Sequence, residues 1–150
     1  MNNIRIRAAA IILNRKKELL LVNHQKNGRS YWLLPGGGVE YGETIENALK
    51  RELNEELSME MKEISNFVLC HETIYPDKSR HIFNVYFKVR IKNNLKFFVK
   101  PDKVLKNAEY FGVDGFKRLL FYPDIKDIII NLWKKNFCCQ AGFIKVKWKE

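Results

Sequence analysis

The sequence has no long hydrophobic run. Its longest uninterrupted apolar stretch, Ala8 to Leu13, has six residues, too few to span a bilayer or to form the core of a standard secretory leader. The expectation is a soluble, cytoplasmic protein without a membrane partner. Cysteine is scarce and odd in number. Cys70, Cys138 and Cys139 include an adjacent pair and have no metal-ligand spacing, which argues against a disulfide framework. They read as reduced thiols, with Cys70 in the core. No repeat and no linker-like stretch divides the chain, and 150 residues with 46% hydrophobic content suffice for one domain with a substantial core.

Acidic residues are the minority charge, and they are unevenly placed. The net charge is +10, yet residues 40–63 carry eight Glu against Lys50, Arg51 and Lys62, a local net of −5 that leaves +15 elsewhere. An acidic island in a basic surround suits a site that holds cations and draws an anionic substrate from outside. For most individual lysines, a solvated charge is the better reading.

The organising stretch runs from Gly36 to Met59, GGGVEYGETIENALKRELNEELSM. Its second half has the period of a helix, with Ile45, Ala48, Leu49, Leu53 and Leu57 on one side and Asn47, Lys50 and Asn54 on the other. Glu52 and Glu56 fall inside the apolar arc and Glu55 at its edge. Side chains three and four apart share a helix face, so these three carboxylates converge beside the core. Crowded anions partly removed from water are costly unless something positive joins them. A divalent cation answers that need; Arg51, the one nearby cation of suitable length, neutralises at most one of them. Pro35 and Gly36–Gly38 read as a loop without side chains that can approach a ligand closely. Gly42 marks a second turn, and Thr44 is a candidate N-cap with Glu46 in the first turn. The capping box is incomplete, because Asn47 stands where Glu or Gln would close it. The bland alternative is a solvated Glu-rich helix beside a Gly-rich turn.

Gly37, Glu43, Arg51, Glu52, Leu53, Glu55, Glu56 and Met59 match the spacing G-x5-E-x7-R-E-U-x-E-E-x-G-U, where U is bulky and aliphatic. The stretch therefore resembles the Nudix box of the MutT-like hydrolases. One fixed position departs: the final Gly is Ser58, which touches helix termination more than chemistry. The resemblance implies an α/β/α sandwich with a mixed sheet, within an α+β class. It fills one domain over residues 1–150, with a core at about 4–136 and an extension from about 137 that adds a C-terminal strand. It also implies hydrolysis of a nucleoside diphosphate linked to another moiety, with Mg²⁺ as cofactor and Mn²⁺ as a substitute. By position, Glu52, Glu55 and Glu56 are metal ligands, joined by the carbonyl of Gly36. Arg51 and Glu43 orient the carboxylates, Gly37 supports them, and Glu52 is the first choice of base. Glu109 resembles a position where some members place an extra carboxylate.

Substrate selection falls outside the box. Arg5, Arg7, His24, Lys26, Tyr31, Trp32, Lys78, Arg80 and His81 are loop or wet-face groups suited to phosphate or a base, while His71 and Glu72 face either way. Two other classes stay open: an enzyme or binder acting on nucleic acid such as RNA 5′ phosphates, motivated by the positive charge, and a non-catalytic nucleotide sensor. A homodimer through the terminal strand is a further expectation.

Along the chain, residues 4–13 read as a strand, Arg15–Lys17 as a turn and Glu18–Asn23 as its antiparallel return. His24–Ser30 reads as a polar loop and Tyr31–Leu34 as a short apolar segment. Ile64–Tyr75 and His81–Ile91 are long strands, the second alternating Val85, Phe87, Val89 and Ile91 against a wet face of Tyr86, Lys88 and Arg90. Residues 92–107 form a loop or ragged edge, Glu109–Val113 a short strand, and Asp114 caps a turn of helix to Leu120. Pro123 opens a second amphipathic helix to about Asn136. Ile144, Val146 and Trp148 alternate with lysines as a guarded edge strand.

Overall fold

Strand β1 (Arg5–Ile11) lies at the centre because its apolar run has two faces to bury. Every side chain from Ala8 to Ile12 is buried, the pattern of a strand covered on both sides. Ala8, Ala10 and Ile12 point into one core layer, whereas Ala9 and Ile11 point into the other. The expected alternation fails at the start of the strand, where Ile4 and Ile6 are exposed. The computed structural model describes residues 3–92, 96–102 and 104–146.

After β1 come β2 (Leu19–Lys26), β3 (Arg29–Leu33) and β4 (Gly36–Gly38), then helix α1 (Ile45–Leu57). The long strands β5 (Met61–Ile74) and β6 (His81–Ile91) follow, then β7 (Leu105–Phe111), helices α2 (Val113–Lys117) and α3 (Lys126–Lys134), and β8 (Gly142–Phe143). One sheet has the order β4-β1-β6-β5-β8 and a second the order β3-β2-β7. The first is mixed, since β1 runs parallel to β6 while β4 and β5 are antiparallel to their neighbours. Helix α1 packs Ala48, Leu49, Leu53 and Leu57 on one face of it, and α3 packs Ile129, Leu132 and Trp133 on the other. This is the α/β/α sandwich with a mixed sheet. Each fully buried leucine of α1 contributes about 2 kcal/mol of transfer free energy.

Several elements differ from the reading of the sequence. Gly36–Gly38 is a strand, paired antiparallel to β1 with Ala9 opposite Gly36 and Arg7 opposite Gly38. The expected antiparallel return forms but is short: Leu13 bridges Leu19, the Asn14 N–H donates to the Glu18 carbonyl and the Leu20 N–H to the Ile12 carbonyl, each at 3.0 Å, and β2 then crosses into the second sheet. His24–Ser30 is the hairpin tip of β2 and β3, turned by Asn27 and Gly28 at φ of 51° and 74°. The supposedly wet face of β6 carries the buried Tyr86, because α3 covers that side. β7 starts four residues before Glu109, and α3 starts three residues after Pro123. At the C-terminus the pairing is earlier and shorter than expected: Gly142 and Phe143 run parallel to Leu69 and Cys70. Ile144 and Val146 pack on the core, and Trp148 lies outside the described residues.

Both ends of α1 follow the sequence. Thr44 has extended backbone and its side chain accepts a hydrogen bond from the Asn47 N–H, which satisfies one free donor of the first turn. Ser58 is left-handed, at φ 54° and ψ 29°, and its N–H closes on the Asn54 carbonyl at 3.0 Å. An L side chain is strained there by roughly 1 kcal/mol relative to glycine. Ser58→Gly is therefore expected to raise stability by about 1 kcal/mol, less a small loss from the exposed bond of Ser58 Oγ to the Phe98 carbonyl. Chemical denaturation checks it; a clear fall in the midpoint would mean that the Phe98 bond outweighs the backbone strain.

Candidate active site

The site is built where α1 passes over β4. A side chain at Gly37 would put its Cβ into the Glu52 carboxyl group, so this strand must lack one for the helix to sit so close. At Gly36, with φ 141°, a Cβ would collide with the Ala8 carbonyl oxygen and come within 2.8 Å of Ala9 Cα. The close approach brings backbone donors onto the acidic face of the helix. The Gly36 N–H donates to Glu56 Oε2 at 3.2 Å.

Arg51 arranges the rest. Its Nε and Nη2 donate to the two oxygens of Glu43 at 2.9 Å each, a bidentate pair across the turn before the helix. Its Nη1 donates to Glu52 Oε1 at 2.8 Å and more distantly to Glu55 Oε2 at 3.4 Å. Nη2 also holds the Gly38 carbonyl at 2.9 Å, which ties the helix to β4. These bonds hold Glu43 ionised to lower pH and keep the guanidinium charged. One cation thus bonds three carboxylates, more contacts than the sequence suggested, but still a single charge.

Glu56 has no such partner. Burial pushes its pKa up to about 7; the Gly36 hydrogen bond and the Arg7 charge oppose the rise, and Glu52 and Asp102 add to it. The lysine on the far side of the helix behaves as a solvated charge, Lys50 pairing with Glu46 at 2.8 Å.

Glu52, Glu55 and Glu56 offer hard oxygen donors of the kind Mg²⁺ takes. A buried carboxylate held half-protonated near neutrality is a group that a cation would ionise, so the donor set fits a divalent metal. Among the described residues, no three His, Cys, Asp or Glu side chains are already gathered at ligating distance, because Arg51 draws Glu52 and Glu55 to itself. Gly36 contributes its N–H, which the sequence reading did not foresee; its carbonyl, the expected ligand, accepts from Arg7 Nη2 at 3.4 Å.

Four of the expected substrate residues, Arg7, His24, Tyr31 and Arg80, lie in one neighbourhood, and Arg7 connects it to Glu56. Arg7 is anchored on the Leu34 carbonyl at 2.8 Å, and its charge is felt by Glu56, His24, Tyr31, His71 and Tyr86. Burial and then Arg7 lower the pKa of His24, whose buried Nε2 makes no hydrogen bond among the described residues. Tyr31 meets His24 at 5.9 Å and Tyr122 at 5.4 Å between ring centroids. Arg80 lies over the Tyr75 ring at 5.6 Å, and both groups act on the Tyr31 phenol. Arg5 stays exposed near Gly38.

The other candidates do not join. Trp32 is a core residue packed edge-on to Phe111 at 4.8 Å. Lys26 and Lys78 are exposed, and His81 pairs with exposed Glu72 at 3.1 Å. Glu109 is exposed on β7, between Ala108 and Tyr110, which turn into the layer beneath α1; alternation therefore sends Glu109 to the opposite face, away from the helix carboxylates. Tyr122, Tyr75, Asp102 and Asn84 were missed, and nothing in their local sequence marks them.

The model of the NUDIX domain matches residues 3–132. The chain belongs to the NUDIX domain family. Nudix proteins are hydrolases acting on acid anhydrides; they use divalent metal ions and act on nucleotides. The chain is 34% identical over 134 residues to the 8-oxo-dGTP diphosphatase of Buchnera aphidicola, covering 83% of this chain and 93% of that one. It is 27% identical over 128 residues to the ADP-ribose pyrophosphatase of Methanocaldococcus jannaschii, covering 83% and 72% respectively. The solution structure of the E. coli ORF135 protein superposes with a TM-score of 0.74 at 19% identity, over 92% of this chain and 96% of that one, a likeness of fold.

The raised Glu56 pKa makes the stability of this Nudix chain depend on pH in a definite direction. A carboxyl whose folded pKa lies above its unfolded value near 4.5 stabilises fully below pH 4.5, and that contribution is lost as pH rises through about 7. At about 1.4 kcal/mol per unit the full loss is about 3.5 kcal/mol. Glu56→Gln keeps an acceptor for Gly36 without the charge, so in chelator it should gain about 2 kcal/mol on wild type between pH 5 and pH 8 in urea denaturation. A stability difference that does not change with pH would show that Glu56 is well solvated.

Proposed function

We propose that this Nudix hydrolase cleaves the phosphoanhydride of a nucleoside diphosphate linked to another moiety, with Mg²⁺ as its metal and Mn²⁺ as a substitute. The observation that carries the reading is the acidic face of α1 set against the side-chain-free strand β4, with Arg7 held beside that strand on the Leu34 and Gly36 carbonyls. Glu52 and Glu56 are assigned as ligands, with Glu55 as the next, and Arg51 and Glu43 as the pair that orients them. A bound divalent cation supplies charge neutralisation on the phosphates and lowers the pKa of water.

Glu52 is assigned the proton of the attacking water. Arg51 takes its Oε1, while Oε2 makes no hydrogen bond among the described residues and is available as acceptor. Arg7 is assigned to neutralise phosphate, and its bonds to the Leu34 and Gly36 carbonyls fix its position. Water then attacks within the diphosphate. A nucleoside diphosphate sugar or ADP-ribose gives a nucleoside monophosphate and a sugar phosphate, and a nucleoside triphosphate gives monophosphate and inorganic diphosphate. The two named relatives differ in substrate, so their names do not choose among these.

A hydrolysis screen over nucleotide sugars, ADP-ribose, nucleoside triphosphates and 5′-phosphorylated RNA, in ¹⁸O-labelled water, tests the reading. Turnover should need Mg²⁺ or Mn²⁺ and stop in chelator; free sugar with intact nucleoside diphosphate would refute the bond assignment.

Glu52→Gln and Glu56→Gln should each lower kcat on the order of 100-fold or more, with circular dichroism unchanged. Lys50→Ala, which removes only the exposed pair with Glu46, should keep full turnover and lose about 0.5 kcal/mol at most. Equal damage from Lys50→Ala and Glu56→Gln would overturn the choice of helix face. Gly37→Ala should lose activity comparably to Glu52→Gln, because its Cβ must displace the Glu52 carboxyl.

A further inference from the structure

Beside Arg7 the first sheet carries a row of polar side chains that the phosphate chemistry does not use. In the first sheet Arg7 on β1, Asn84 on β6 and His71 on β5 are successive cross-strand partners. Partners in a row project to the same face, here the face of Ala9, Leu69 and Tyr86. A guanidinium, a carboxamide and an imidazole therefore lie side by side, within reach of the Arg7 charge that also acts on Tyr31 and His24 of the second sheet.

The two outer members of the row are satisfied within the protein. Arg7 donates to the Leu34 and Gly36 carbonyls. Buried His71 bonds the Tyr86 hydroxyl through Nε2 at 3.0 Å, and its Nδ1 faces the Thr73 hydroxyl at 3.4 Å. Asn84 is different. The residue is only 6% exposed, its carboxamide makes no hydrogen bond with another described residue, and its polar atoms are not among the fully enclosed ones, so they keep an opening to solvent. A carboxamide that is open to solvent and has no internal partner is available to a group from outside the chain.

We propose that Asn84 is a specificity-determining residue that reads the base of the nucleotide. A carboxamide offers one donor and one acceptor side by side, which matches a base edge presenting an acceptor next to a donor, as adenine presents N7 and the 6-amino group. Arg7, between Asn84 and Glu56, spaces the base from the phosphates, and the Tyr31–Tyr122 pair supplies the aromatic wall. A base that covers this amide without offering the matching groups cuts it off from water and leaves it unpaired, and that is what discriminates. The inference rests on the reading of the chain as a nucleotide hydrolase.

The test compares wild type with Asn84→Leu, close in volume and without hydrogen-bonding groups, and with Asn84→Asp, which keeps acceptors and removes the donor. kcat/KM is measured for ATP, GTP, CTP and UTP and for base-free ribose 5-triphosphate. Wild type should prefer one base by about tenfold or more, and both variants should flatten that preference mainly through KM. The urea midpoint of Asn84→Leu should hold or rise, since no internal partner is left behind. A purely structural asparagine, paired through buried water, would give a fall in the midpoint with base preference intact, and that overturns the proposal.

Should wild type hydrolyse none of these compounds, the nucleotide triphosphatase reading fails and binding decides the role of Asn84. Calorimetric titration with AMP, GMP, CMP and UMP should then give affinity for at least one, weakened about tenfold or more by Asn84→Leu. Equal affinity in the variant, or no affinity in wild type, rejects it.

Discussion

The arrangement depends on how closely a helix is allowed to approach a strand. An ordinary strand would hold α1 away from its backbone by the width of a side chain, and the carboxylates of the helix would face side-chain atoms or water. At β4 the three glycines remove that spacing, so the Glu52 carboxyl rests where a Cβ would be and the Gly36 N–H bonds Glu56 directly. The strand is itself held by pairing with β1 and by the Arg51 bond to the Gly38 carbonyl. The apolar half of α1 then anchors the helix through Leu49, Leu53 and Leu57, so that the anions are carried at the boundary of the core.

Electrostatics divides the acidic face into two kinds of carboxylate. Glu43, Glu52 and Glu55 are gathered by one guanidinium, whose planar fork satisfies Glu43 bidentately and reaches the other two with its remaining N–H groups. Glu56 is left to burial and one backbone donor, which is too little to keep it fully ionised near neutrality. The site as folded therefore has unmet demand for positive charge on the inner side, and Arg7, shared among Glu56, His24 and Tyr31, meets it only in part. The basic remainder of the chain then acts at long range on anionic substrates, an effect that salt would screen.

What was legible in the sequence follows from where side chains carry the signal. The acidic helix, its Thr44 cap, its left-handed end at Ser58 and the orientation of Glu52 and Glu56 were all readable, because spacing along a helix fixes which residues share a face. The glycine strand was not: three residues without side chains have no period, and only pairing with β1 makes them a strand. The β1–β2 return was readable, but the crossing of β2 into a second sheet was not, since a run buried on both faces carries no mark of where one sheet ends and another begins. Tyr86 looked solvent-facing between lysine and asparagine until α3, more than 35 residues later, covered it. Arg7, His24, Tyr31 and Arg80 were picked for their chemistry alone and do come together. Glu109 was picked by position and lies on the wrong face of β7.

The two sheets explain why the acidic helix and the groups around Arg7 are so differently encoded. The carboxylates and their orienting pair come from one continuous stretch, Glu43 to Glu56, so a local pattern suffices to specify them. The groups around Arg7 come from many places: Arg7 from β1, His24 and Tyr31 from the β2–β3 hairpin, His71 from β5, Asn84 from β6 and Tyr122 from the segment before α3. Such a set has no sequence spacing of its own, because only the pairing of strands brings its members together. One of these side chains can be replaced without touching the stretch from Glu43 to Glu56, so on physical grounds the acidic helix and the groups around Arg7 can vary independently.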